Sequence, residues 1–251
     1  MDPKDRFSDR VADYVRYRPG YPSGLILYLA ELTGLTPDWV VADLGSGTGL
    51  SSRPFLEHGN LVYGVEPNDE MRAAAEALFA DHARFVNVEG SAESTGLEAA
   101  SVDVAIAGQA FHWFDVAAAR AECLRIVRQP CWVALFWNVR LTEADAFARG
   151  YEELLERYGT DYERYRARRI RPEALRDFFG TPPEARSMPN EQTFDFDGLR
   201  GRHLSSSYVP NAGHPEHEPM MRALRRLFDD HAVDGRVRFE YETQLFVERL
   251  A

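Results

Sequence analysis

From Trp39 to Trp137 the chain alternates short apolar runs with amphipathic stretches. Strands of a parallel sheet are covered on both faces and so read as near-continuous apolar runs, while the stretches between them supply the covering helices. The pattern predicts strands over Trp39–Leu44, Leu61–Val65, Arg84–Val88, Val102–Ala107 and Cys131–Trp137. Helices are expected at Leu50–His58, closed by Gly59-Asn60, at Asp69–Ala80, built from strong helix formers, and at about Asp115–Arg128, ended by Pro130.

The period then changes. Thr142–Arg171 is dense in Arg, Glu and Tyr and predicts helices, with Thr142 as N-cap. Pro172, Pro182, Pro183 and Pro189 break the next stretch, which is expected to be irregular with one short helix. Met220–His231 reads as a helix, and Val237–Val247 alternates like a member of an edge strand pair. A sheet core is thus interrupted by a mostly helical insertion before the chain returns to the sheet.

Composition narrows the chemistry. With 40 acidic against 29 basic side chains the formal net charge is −11, which argues against a protein that grips nucleic acid or an anionic membrane through bulk charge. Lys4 is the one lysine, in a terminal stretch, so lysine-based covalent or phosphate chemistry is disfavoured. Cys123 and Cys131 are too few for a zinc cluster and fit a reducing compartment. The N-terminus lacks the apolar segment of a signal peptide, and no apolar run nears the roughly 20 residues of a membrane span. A soluble, cytoplasmic protein is expected.

The segment Asp43-Leu44-Gly45-Ser46-Gly47-Thr48-Gly49 follows the first strand and opens the first helix. Glycines there let the backbone turn tightly and approach a ligand. Glu66 closes the second strand, where an acid in such folds meets ribose hydroxyls. A plain glycine-rich turn beside a surface acid is the alternative, but strand, loop, helix, strand and acid stand in the right order for a nucleotide site. A dinucleotide fingerprint would place glycine where Leu50 stands, and the nearby Asp43 would repel a pyrophosphate. An ammonium group would be welcome there.

The pattern resembles the class I S-adenosylmethionine-dependent methyltransferases. Glu66-Pro67-Asn68-Asp69-Glu70-Met71, Gly90-Ser91-Ala92-Glu93 and Gly108-Gln109-Ala110-Phe111-His112-Trp113-Phe114 extend the likeness beyond the glycine loop. Together with the start Tyr14-x-x-Tyr17-Arg18-Pro19-Gly20-Tyr21-Pro22, they look most like the methyltransferase-11-type small-molecule group that includes trans-aconitate methyltransferase-like enzymes.

The resemblance implies a doubly wound, Rossmann-like α/β fold with a seven-stranded, mostly parallel sheet and a helical insertion or lid. It implies a single domain: residues 1–37 an N-terminal helical lid, 38–140 the cofactor-binding core, 141–235 a largely helical insertion or substrate cap, and 236–251 a final strand. Gly45, Gly47, Glu66, Ser91, Ala92 and Glu93 are then expected to hold S-adenosylmethionine, with Asp43, Pro67, Met71, Gln109 and Ala110 close by. The activity implied is methyl transfer to a small organic molecule with a carboxylate or hydroxyl acceptor, leaving S-adenosylhomocysteine and using no metal. The expected protein is a monomer or homodimer with no nucleic-acid or membrane partner. Two rivals stay open: a non-catalytic protein that binds S-adenosylmethionine or S-adenosylhomocysteine, and a nicotinamide-dependent oxidoreductase, which Leu50 and Asp43 count against.

Methyl transfer from a sulfonium is an in-line displacement, and a general base is needed only where the acceptor is poorly ionised. His112 is the candidate base, with a structural histidine in the pocket wall as the alternative. Tyr14 and Tyr17 share a helix face and, by the resemblance, belong to a lid that reaches the reacting groups. Arg18, Trp113, Trp137 and Asn138 are expected to line the acceptor pocket, with Ser205–Tyr208 as further wall candidates. Arg164, Arg166, Arg168, Arg169 and Arg171 could clamp an anionic substrate, although interleaved Glu and Asp make a solvated helix face the simpler reading. His214 and His217 flank Pro215 in a polar loop and read as surface residues.

Overall fold

A computed structural model describes residues 16–163 and 172–251; Tyr14 and the arginines from Arg164 to Arg171 lie outside the described residues. The apolar runs form seven strands: β1 Val40–Leu44, β2 Leu61–Glu66, β3 Phe85–Glu89, β4 Val102–Gly108, β5 Val127–Arg140, β6 Glu184–Phe194 and β7 Val237–Arg249. The described helices are α1 Gly24–Thr33, α2 Arg53–His58, α3 Asp69–Leu78, α4 Val116–Ile126, α5 Ala146–Tyr158, α6 Pro172–Phe179, α7 Phe196–Leu204 and α8 His217–His231. Among the described residues no helix is long and apolar enough to cross a membrane.

One sheet holds all seven strands in the order β3-β2-β1-β4-β5-β7-β6. The first five neighbours run parallel, and β7 enters antiparallel to β5 and β6. Side chains alternate across a strand, so Ala42 and Leu44 join one core while Val41 joins the other. The first core is closed by α4 and α6 through Cys123, Ile126, Phe178 and Phe179, and the second by α1 and α2 through Leu25, Leu29 and Phe55. Burying each large side chain of this kind contributes roughly 1.5–3 kcal/mol. A third core packs α5, α7 and α8 against Val237, Phe239 and Tyr241 at the start of β7.

Three expectations need correction. Residues 184–189, expected to be irregular, belong to β6, which pairs with β7 over its full length. The strand is the outer edge of the sheet, so its sequence Glu-Ala-Arg-Ser-Met-Pro-Asn-Glu-Gln-Thr-Phe needs no apolar period, and Pro189 is tolerated where an edge N–H faces away from the ladder. In turn β7 is interior rather than at an edge. Finally, Asp145 and not Thr142 caps α5, its carboxylate accepting the Ala148 N–H at 2.7 Å.

The strand order reverses between β1 and β4, one leading out through β2 and β3 and the other through β5. In an open parallel sheet the crevice beyond the carboxyl ends of the strands at such a reversal is where ligands bind. The glycine loop opens from β1 at that point.

Candidate functional site

The glycine loop is moored to the end of β2. Gly45 and Ser46 donate their N–H groups to the Val65 carbonyl at 2.8 and 3.1 Å. The Gly47 N–H donates to Glu66 Oε2 at 2.9 Å, and the Asn68 N–H donates to Glu66 Oε1 at 2.9 Å. One backbone donor on each oxygen fixes the plane of the Glu66 carboxylate. Asn68 then caps α3 by accepting the Met71 N–H, which brings Met71 under the same wall. The glycines serve different ends. Gly47 has φ +55° and no atom within 4 Å of where a Cβ would stand, so it faces open space, whereas a Cβ at Gly49 (φ +85°) would lie 2.3 Å from the Phe79 ring.

A cavity of about 310 Å³ opens over this loop, within the size range of small-molecule sites. Its floor is Gly45–Thr48 with Leu50 and Ser51, and one side is Glu66, Pro67, Asn68 and Met71. Ser91, Ala92 and Glu93 close a second side, and Gly108, Gln109, Ala110, Trp113 and Phe114 a third. Arg18, Pro19 and Tyr21 cover it from the N-terminal segment. The Tyr21 ring stands edge-on to Phe136 at 4.6 Å, while Arg18 Nη2 donates to the Ser205 carbonyl at 3.0 Å, tying this cover to the cap. Gln109 holds φ +60° and donates through Nε2 to the Asn138 carbonyl at 3.3 Å.

Asp43 is fully buried beneath the loop rather than on the cavity wall. Ser51 and Ser52 donate to its Oδ2 at 2.7 and 2.6 Å, and Oδ1 has no hydrogen-bond partner. Burial pushes its carboxyl up to about 6; the two serine hydroxyls pull against that rise, and the nearby Glu66 charge adds to it. The Ser46 and Thr48 hydroxyls are likewise buried without a partner, and both residues line the cavity. Unsatisfied buried polar atoms are rare in folded proteins and mark places where a ligand or ion belongs.

The sequence-derived residues divide cleanly. Gly45, Gly47, Glu66, Pro67, Met71, Ser91, Ala92, Glu93, Gln109 and Ala110 come together around one cavity, as do Arg18 and Trp113. His112 does not join them. The turn of 3-10 helix at Phe111–Trp113 sends Phe111 into the core and Trp113 to the cavity, leaving His112 tilted against the Trp113 ring at 5.1 Å. Tyr17 packs on Gly201, where a Cβ would lie 2.0 Å from its ring, and it borders a separate hollow beside α7 and α8. Trp137 is buried in the core between Phe111 and Phe246. Asn138 braces the N-terminal segment instead of lining the cavity: Nδ2 donates to the Gly20 carbonyl at 3.0 Å, and Oδ1 accepts from Thr243 and Asn190. Tyr21, Ser46 and Thr48 were not singled out by the sequence; hydroxyls inside a glycine turn were the only signal for two of them.

Residues 42–135 match a family model described as a methyltransferase domain. An uncharacterized methyltransferase of Mycobacterium tuberculosis is 35% identical over 153 residues, 61% of this chain and 60% of its own length. An uncharacterized methyltransferase-like protein of Schizosaccharomyces pombe is 30% identical over 159 residues, 62% of this chain and 59% of its own length. The chain thus spans about 60% of the length of the curated relatives it matches. Among solved structures, a candidate type II methyltransferase from Anaeromyxobacter dehalogenans superposes with a TM-score of 0.67 at 26% identity, covering 93% of this chain and 98% of that one.

Proposed function

We propose that this chain is a class I S-adenosylmethionine-dependent methyltransferase that transfers a methyl group from S-adenosylmethionine to a small organic acceptor. One observation carries the reading: a carboxylate, Glu66, pinned by the Gly47 backbone at the wall of a cavity whose floor holds the unsatisfied hydroxyls of Ser46 and Thr48. These groups fit the cofactor's chemistry. Glu66 suits a ribose diol, Met71 and Ala92 offer an apolar seat for a purine, and the buried Asp43 supplies negative potential for an ammonium group.

When bound, S-adenosylmethionine supplies an electrophilic methyl on a sulfonium, open to in-line displacement by a nucleophile. The chain's own residues position and dry that site. Trp113, Phe114 and Tyr21 form aromatic walls that exclude water, and aromatic faces favour a neighbouring cation. Among the described residues the ionisable groups on the wall are Glu66, Glu93, Arg18 and Tyr21, with His112 standing off. That favours an acceptor already ionised at neutral pH, a carboxylate, over an alcohol that needs a base. The reach of the wall beyond the glycine loop, to Arg18 and Trp113, supports a transferase over a protein that only binds the cofactor. The net charge of −11 and two free, buried cysteines support a small-molecule substrate in the cytoplasm.

The direct test is to incubate the protein with S-adenosylmethionine and a panel of small carboxylic acids and alcohols and to quantify S-adenosylhomocysteine. Acid-dependent product formation supports the reading. Binding of S-adenosylhomocysteine with no turnover on any acceptor would return the protein to the role of a binding module.

A further inference from the structure

Behind Arg18 lies a polar cluster that the cofactor cavity does not use. Arg140, at the end of β5, donates through Nη2 to Glu152 Oε2 and to the Tyr162 hydroxyl at 3.3 Å, and Tyr162 donates to the same Glu152 oxygen at 2.7 Å. Its other terminal nitrogen, Nη1, is buried and makes no hydrogen bond. Arg202, on α7, is 6% exposed. It donates through Nε to the Tyr241 hydroxyl and through Nη1 to Ser206 Oγ, both at 3.3 Å, and among the described residues no carboxylate pairs with it. The two guanidiniums flank the same ring: each carbon Cζ lies 5.9 Å from the centroid of Phe239.

The two cations are not matched alike. Among the described residues Arg140 pairs with Glu152, while the buried Arg202 pairs with no carboxylate. Burying an unpaired ion costs several kcal/mol, which aromatic faces offset only in part. Neutral tyrosines can accept hydrogen bonds but cannot supply charge. The cluster also lies next to the cavity. Arg18, on the wall, bonds to the Ser205 carbonyl, and the next residue, Ser206, holds Arg202. A second chain of bonds runs from Arg202 to Tyr241, on to Gln192 Oε1, and from Gln192 Nε2 to the Tyr17 carbonyl beside Arg18.

We infer that Arg140 and Arg202 anchor a carboxylate group of the methyl acceptor. Planar guanidinium forks match a carboxylate in two-point geometry. This rests on the transferase reading above and adds the substrate class: an organic acid with a carboxylate held in the cap and its accepting group directed past Arg18. Methyl transfer itself is unaffected, since the anchoring group changes neither bonds nor protonation.

The test uses the full chain saturated with S-adenosylhomocysteine. Acetate, benzoate, succinate and glutarate are titrated by calorimetry against chloride and inorganic phosphate at matched ionic strength, with wild type, Arg202→Met and Arg140→Lys. At least one carboxylate is expected to bind saturably while chloride does not, and each substitution should weaken it about tenfold or more. S-adenosylhomocysteine affinity should stay unchanged. A structural role predicts the reverse pattern for Arg202→Met, a loss of stability with carboxylate binding intact wherever the protein folds. If Arg202→Met does not fold, Arg140→Lys, which keeps the charge and loses the fork, decides. Absence of binding by all four acids, binding by phosphate alone, or undiminished binding in the variants overturns the inference. Loss of S-adenosylhomocysteine binding in the wild type would instead overturn the cofactor reading on which it stands.

Discussion

The backbone N–H of Gly47 donates to the carboxylate of Glu66 at 2.9 Å, joining the loop after β1 to the end of β2 where the floor of the cavity meets its side. The bond makes the loop and the acid one unit. The acid cannot swing away without releasing the loop, and the loop's open face at Gly47 is held at a fixed height above it.

Two glycines in this unit separate packing from binding. Gly49→Ala drives a methyl to 2.3 Å from the Phe79 ring in a residue with φ +85°, and is expected to cost about 2–4 kcal/mol. Gly47→Ala meets no atom within 4 Å, so its cost is the strain of φ +55° alone, about 1–2 kcal/mol. Its methyl enters the cavity floor, so it should weaken S-adenosylhomocysteine more than it destabilises the fold. Urea unfolding and calorimetry of the two variants check the contrast.

Asp43 makes stability depend on pH in a direction opposite to most carboxylates. Its carboxyl is raised from 3.8 to about 6 by burial, so between those values the folded state holds a proton that the unfolded state has released. Stability from this group is therefore highest below 3.8 and falls as pH rises to about 6, by roughly 3 kcal/mol, then stays level. Asp43→Asn removes the dependence. Unfolding free energies of wild type and variant at pH 4 and pH 7 should differ between the two pH values by about that amount, and parallel curves would contradict the placement of Asp43. Glu122 supplies a contrast within the same protein: its bond to Arg125 holds it down at about 2, so its contribution is present above 4.5 and is lost as pH falls towards 2.

Asn138 holds the cover of the cavity from outside. It accepts from Thr243 at 2.6 Å and Asn190 at 3.0 Å and donates to the Gly20 carbonyl at 3.0 Å. Asn138→Ala leaves the buried Thr243 hydroxyl without this partner and should cost about 1–3 kcal/mol. Because Arg18, Pro19 and Tyr21 line the cavity on either side of Gly20, cofactor affinity should fall as well. Thr243→Val, which removes one bond without touching the cover, should lower stability and leave affinity near wild type.

How far the sequence reaches depends on whether a signal is local. The parallel strands were legible because both faces are buried, giving Val40–Leu44 and Val102–Gly108 runs that are apolar but for Asp43 and Asp103. The glycine loop and Glu66 were legible because strand, turn and acid follow in one stretch. Strand β6 was not, since an edge strand takes its order from backbone pairing with β7, and its side chains carry no apolar period. Strand parity decided Trp137 and Asn138: neighbouring residues face opposite sides, and that assignment depends on which core the strand abuts. His112 was lost to a 3-10 turn that periodicity cannot register. Arg140 and Arg202 stand far apart in sequence, and only the pairing of β5 with β7 and the docking of α7 bring them to one ring.

The most direct measurement is calorimetric titration of wild type and Glu66→Ala with S-adenosylhomocysteine, with NADH in a parallel titration. The account predicts micromolar binding of S-adenosylhomocysteine by wild type, a loss of about tenfold or more in Glu66→Ala, and no heat from NADH. Binding of NADH in place of S-adenosylhomocysteine, or full S-adenosylhomocysteine affinity without the Glu66 carboxylate, would contradict it.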